Sequence, residues 1–124
     1  MINGIFGWFW ITIGFVGGMI LGMKFRHDDW LGGYSAFPRR LVRLGHISFI
    51  GLGFVNILFA HSVVNLPANY VFSVASLVFI GGAITMPTCC FLAAWQRNWL
   101  FIFSIPIILL VLGGCLTLIG LISR

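Results

Sequence analysis

Acidic side chains are almost missing from this chain. Asp28 and Asp29 are the only two in 124 residues, and glutamate does not occur. Charge of either sign is scarce, at 7% of residues, where a soluble domain carries about 25%. A chain that is 60% hydrophobic cannot cover a water-facing surface with so few charges, which argues against a free soluble domain. No charged residue occurs between Arg43 and Arg97. The apolar runs therefore offer no carboxylate to carry a proton or hold a cation, which weighs against a small proton-coupled exporter. They also offer no evident lining for a water path, as a channel requires. Three cysteines, all in apolar segments and none in C-x-x-C spacing, imply neither a disulfide framework nor a dithiol redox pair. Phosphate loops, nucleotide fingerprints and histidine–carboxylate relays are absent, so catalytic activity of its own is not expected.

What the chain has is apolar length. A helix crossing the hydrocarbon core needs about 20 mostly apolar residues. Four segments meet this: residues 5–23, 44–66, 70–95 and 99–122. Spanning strands alternate over about 10 residues, whereas these runs are continuously apolar. Only helices or closed barrels satisfy the backbone in lipid. The expected fold is all-α, a single integral-membrane domain over residues 1–124 built as a four-helix transmembrane bundle. Pro67 between Asn65 and Asn69 marks a tight turn between the second and third spans.

Basic residues near span ends mark the cytoplasmic side. Lys24, Arg26, Arg39, Arg40 and Arg43 fall in the first loop, residues 24–43, and Arg97 in the third, whereas the opposite side holds Arg124. The expected orientation is N-out/C-out, with a bacterial inner membrane as the default location. Trp30, Tyr34, Trp95 and Trp99 are expected in the inner aromatic belt, Trp8 and Trp10 in the outer one. The net charge of +5 lies beside apolar spans, which points to phospholipid head groups rather than nucleic acid.

Gly14, Gly18 and Gly22 repeat every fourth position and predict a small-residue face for close helix packing. The same clearance would equally admit a flat cofactor or a lipid tail. His46 and His61 share a broad face of the second span, about 22 Å apart along its axis at about 1.5 Å per residue. Two histidines so placed on one helix resemble membrane b-type cytochromes, where one helix ligates two haems at different depths. The resemblance covers those two residues and implies haem b, with quinone nearby. A bis-histidine haem needs a second histidine at the same depth, and His27 in the loop is the only other histidine. Otherwise both histidines bond neighbouring helices or head groups.

The run Thr85-Met86-Pro87-Thr88-Cys89-Cys90 combines soft ligands with a helix breaker. Counting from the loop, Met86, Cys89 and Cys90 fall level with His46, a set suited to copper or haem iron. Against this, vicinal cysteines differ by about 100° around a helix and do not face one centre. Pro87 frees the carbonyl of Ala83, which Thr85 and Thr88 hydroxyls can help satisfy. A kinked packing element is the expected role.

The loop Lys24–His46 is the one sizeable polar region. His27, Asp28 and Asp29 lack the spaced partners of a zinc site. The aspartates are expected to pair with Arg39, Arg40 or Arg43, or to cap a short helix. Gly32 and Gly33 are expected to form a flexible turn, and Pro38 to open a helix. Arg39, Arg40, Arg43 and Trp30 are the expected lipid or partner contacts. Short length and minimal loops favour a structural or accessory subunit of a larger membrane assembly. Its partners would be other integral membrane subunits, and an electron-transfer complex, respiratory or photosynthetic, is the preferred host. The alternatives are a haem- or quinone-binding electron carrier, using His46, His61 and Met86, and a small solute or metal transporter.

Overall fold

A computed structural model of the chain describes residues 2–123, so Arg124, expected opposite the basic loop, lies outside the described residues. The described residues are helical and contain no strand. Four helices are long and apolar enough to cross a membrane: α1 (Ile2–Phe25), α2 (Phe37–Val63), α3 (Tyr70–Trp95) and α4 (Ser104–Ile122), the last led by a 3-10 segment, Arg97–Phe103. Pro38 sits in the first turn of α2, where its missing N–H costs nothing. Half of the expected polar loop is therefore helix. Asn69 caps α3, its side chain accepting from the Val71 N–H at 3.0 Å. The fourth span does not start as an α-helix. Pro106 cannot donate to the Ile102 carbonyl, and the chain before it stays in the tighter 3-10 form.

The helices pack in series. α1 lies on α2, α2 on α3, and α3 on α4, while α1 only grazes α3 and shares no substantial interface with α4. The α1–α2 contact is made by glycine. A Cβ built at Gly7 would stand 2.5 Å from the Gly53 carbonyl oxygen, and one at Gly53 would stand 2.8 Å from that of Gly7. Backbone meets backbone here, a distance only glycine permits. Toward the loop the glycine contacts loosen. A Cβ at Gly14 would meet Ile50 and Phe49, one at Gly18 would meet His46, and one at Gly22 would meet nothing within 4 Å. Gly22 thus departs from the expected three-glycine face, because a residue every fourth position drifts about 40° around the helix at each step and Gly22 has turned out of the contact. On the other side of the bundle, Gly113 and Gly120 of α4 receive Phe79 and Phe72 of α3. Phe59, Ala75 and Phe79 form the core between α2 and α3.

The turn expected at Gly32 and Gly33 is present between α1 and α2. Leu31, Gly32 and Gly33 all have positive φ, at 56°, 86° and 96°. Gly33 combines that φ with ψ 172°, a region open essentially to glycine alone.

Candidate functional site

Every polar group that the sequence places inside an apolar span has to find a partner there, because unpaired groups are costly without water. Two of these pairings begin at prolines. Pro87 lies within α3 and leaves the Ala83 carbonyl without its helical donor. The indole N–H of Trp10, from α1, donates to that oxygen at 3.1 Å. Trp10 is thereby an internal tie and not a belt residue, its ring set between Phe6 and Phe49. Thr85 and Thr88 donate instead to Gly81 and Ile84, carbonyls of their own helix. Pro106 likewise deprives Ile102, and the Cys89 thiol of α3 donates to the Ile102 carbonyl at 3.5 Å. Its neighbour Cys90 is fully buried against Gly45 of α2, where a Cβ would stand 3.0 Å from the cysteine Cβ. The two thiols do point apart, one toward the start of the fourth span and one toward α2.

The level shared by Cys90 and His46 is also present, since Gly45 touches Cys90. One residue on, the His46 ring turns the other way, toward α1. Its Nε2 lies 2.8 Å from the Gly14 carbonyl oxygen. A carbonyl only accepts, so Nε2 carries the proton and any metal would have to use Nδ1. The ring rests on Gly18. His61 is exposed, in a shallow apolar groove of about 290 Å³ that includes Gly4, Ile5, Trp8 and Ala60. Met86 is half-buried on α3. Among the described residues, no three histidine, cysteine or acidic side chains converge on one point.

A fourth polar tie was not anticipated. Asn3, Asn56 and Ser76, from α1, α2 and α3, form a buried cluster. Asn3 Nδ2 donates to Asn56 Oδ1 at 2.8 Å and to the Ser76 carbonyl at 3.2 Å. The Ser76 hydroxyl donates back to Asn3 Oδ1, and Asn56 Nδ2 donates to the Leu52 carbonyl at 2.9 Å. Asn56 has no solvent exposure and Asn3 only 2%. Part of the signal was visible, since Asn56 is a carboxamide within an otherwise apolar span, whereas Asn3 precedes the expected first span and joins it only because α1 begins at Ile2.

At the other end of the bundle the arginines divide. Arg39, expected to face lipid, is 3% exposed. It reaches from α2 to the end of α1 and donates to the carbonyls of Phe25, Asp28 and, more weakly, His27. Its guanidinium also lies 4.8 Å from the centre of the Phe25 ring. Arg39 thus caps α1 through the Phe25 carbonyl, which the helix end leaves unpaired, and holds the turn after it through Asp28 and His27. The expected aspartate partners are not used, since Asp28 contributes its backbone oxygen. Asp29 precedes the Trp30–Gly32 turn but makes no side-chain cap bond. Trp30 is half-buried against Phe25.

Arg40 and Arg43 point outward. Arg43 stacks on Tyr34 at 4.2 Å and donates to the Tyr34 carbonyl at 3.2 Å. Arg40 is exposed and makes no side-chain hydrogen bond among the described residues. Both line a groove of about 600 Å³ on α2 whose other walls are Phe37, Leu41, Leu44 and Ile47. Arg97 lies over the Phe37 ring at 4.7 Å. Compared with protein-family models, with curated proteins and with solved structures, the chain matches none.

Proposed function

We propose that this chain is a small structural subunit that sits in a membrane as four spans and packs against other integral membrane subunits. One observation carries the reading: the polar groups within the spans serve the chain's own architecture. Asn3, Asn56, Ser76, Trp10, His46 and Cys89 each tie one helix, or its leading segment, to another. The outward faces of α1 and α4 present large apolar side chains, among them Phe15, Met19, Ile108 and Leu118. Such a chain is rigid inside and apolar outside. The basic end, with Lys24, Arg26, Arg40 and Arg43, supports an N-out/C-out orientation by the positive-inside rule. A bacterial inner membrane and an electron-transfer host remain the preferred setting. The test is purification from its native membrane in mild detergents. Recovery in fixed proportion with other membrane proteins is expected. A lone, monodisperse monomer in every mild detergent overturns the reading.

A second reading, contact with a haem or quinone, is favoured at His61 rather than His46. The His46 Nε2 is engaged with Gly14, whereas the His61 ring is open in a groove beside Trp8. A visible spectrum and a quinone extraction of the purified chain test it. A Soret band or bound quinone lost in His61→Ala supports the contact, and absence of both from the folded protein removes it.

A further inference from the structure

The groove at the basic end of α2 has a polarity gradient along its length. Arg40 and Arg43 stand near one end, and Leu44 and Ile47 continue down the same helix toward the apolar middle. From Arg40 to Ile47 is about 10 Å along the axis, at about 1.5 Å per residue. Arg97 comes from another part of the chain and stacks on Phe37, which lines the same groove. Among the described residues the Arg40 side chain has no hydrogen-bond partner, and Arg43 is held in place by Tyr34 with further N–H groups to offer. No acidic residue lines the groove. Leu44 and Ile47 are 44% and 61% exposed, so the apolar stretch is open.

We propose that this groove is a binding site for a single anionic phospholipid, independent of the subunit reading above. The phosphodiester is held by charge-assisted hydrogen bonds from Arg40 and Arg43, within the field of Arg97. One acyl chain lies along Leu44 and Ile47. The match of a doubly cationic head to an adjoining apolar channel selects this occupant. An acidic protein segment would leave the channel uncovered, and free phosphate would use only the head.

The test is native mass spectrometry of the delipidated full chain in a neutral detergent. Phosphatidylglycerol or phosphatidylcholine with identical acyl chains is added. Retention of phosphatidylglycerol about tenfold above phosphatidylcholine, or about 1.4 kcal/mol, is expected, because both carry the phosphodiester but the choline cation of phosphatidylcholine is repelled by Arg40, Arg43 and Arg97. Arg40→Gln, which breaks no internal bond, should remove most of this preference, and R40Q/R43Q all of it. Lys24→Gln with Arg26→Gln removes equal charge away from the groove and should leave it intact. Ile47→Asn should weaken retention with both arginines present, and inorganic phosphate should not displace the lipid. Equal retention of the two lipids overturns the site. So does an equal loss in the Lys24/Arg26 variant, which would mean a diffuse surface field. Displacement by inorganic phosphate or by a polyglutamate peptide overturns it as well. Circular dichroism of R40Q, R40Q/R43Q and I47N is the check that each variant folds as the parent does.

Discussion

Trp10 and Pro87 form a pair whose meaning depends on both members. The indole donates to a carbonyl that is available because the proline has no N–H. Trp10→Phe should therefore destabilise the chain by about 1 kcal/mol, the net value of one hydrogen bond. In a Pro87→Ala background position 87 again has an N–H for the Ala83 carbonyl, and the same substitution should cost less. Unfolding in a denaturing-detergent titration measures both arms of the cycle. Equal costs in the two backgrounds would mean that the tryptophan matters only for its packing. Asn56→Leu is expected to cost about 1–2 kcal/mol, near the upper end for interhelical polar contacts in lipid, because one of the two acceptors of the buried Asn3 amide is lost and only the Ser76 carbonyl stays. The same titration reads that loss.

Among whole helices, the α1–α2 interface offers a sign test. Gly7→Ala places a methyl group 2.5 Å from a backbone oxygen that cannot move aside alone, so the helices must part. A loss of about 1–3 kcal/mol is expected, the usual cost of overpacking. Gly51 and Gly22 have nothing within 4 Å of the built position. Alanine there should be neutral or stabilising by up to about 1 kcal/mol, through helix propensity alone. Thermal or detergent unfolding of the three variants distinguishes the directions. Gly33→Ala should destabilise the loop by about 1–3 kcal/mol, because of its backbone region and not through any contact. The existence of these helices was legible from apolar length, and their order from the turn at Asn65–Asn69. Their phase was not. Arg39 and Arg40 are adjacent and chemically alike in the sequence, yet about 100° of helix rotation buries one and exposes the other. The proline-freed Ala83 carbonyl was deducible, whereas its donor was not, because Trp10 lies far away in the chain and only the fold brings it near.

For the molecule as a whole, the distribution of charge predicts how it sits. In a background with Cys115 replaced by serine, Ala68→Cys at the α2–α3 turn should react with a membrane-impermeant maleimide added outside intact cells. Ser35→Cys, in the basic loop, should react only after the membrane is opened. The reverse pattern would invert the orientation. The candidate site was partly legible at this scale too. A basic loop beside a span announces contact with head groups, but the groove is formed only when α2 begins at Phe37 and carries Arg40 and Arg43 on the helix itself.

The serial packing of the four helices bears on how the chain is made. Each helix after the first packs mainly on the one immediately before it in the sequence, and the α1–α3 bonds of Asn3 and Trp10 close only once α3 has arrived. A ribosome emits such a chain in the order in which it assembles. At about 5–20 residues per second, α1 waits only seconds for α2, and each completed hairpin is already a docking surface when the next span arrives. Assembly can keep pace with synthesis, with few apolar helix faces left waiting for a partner.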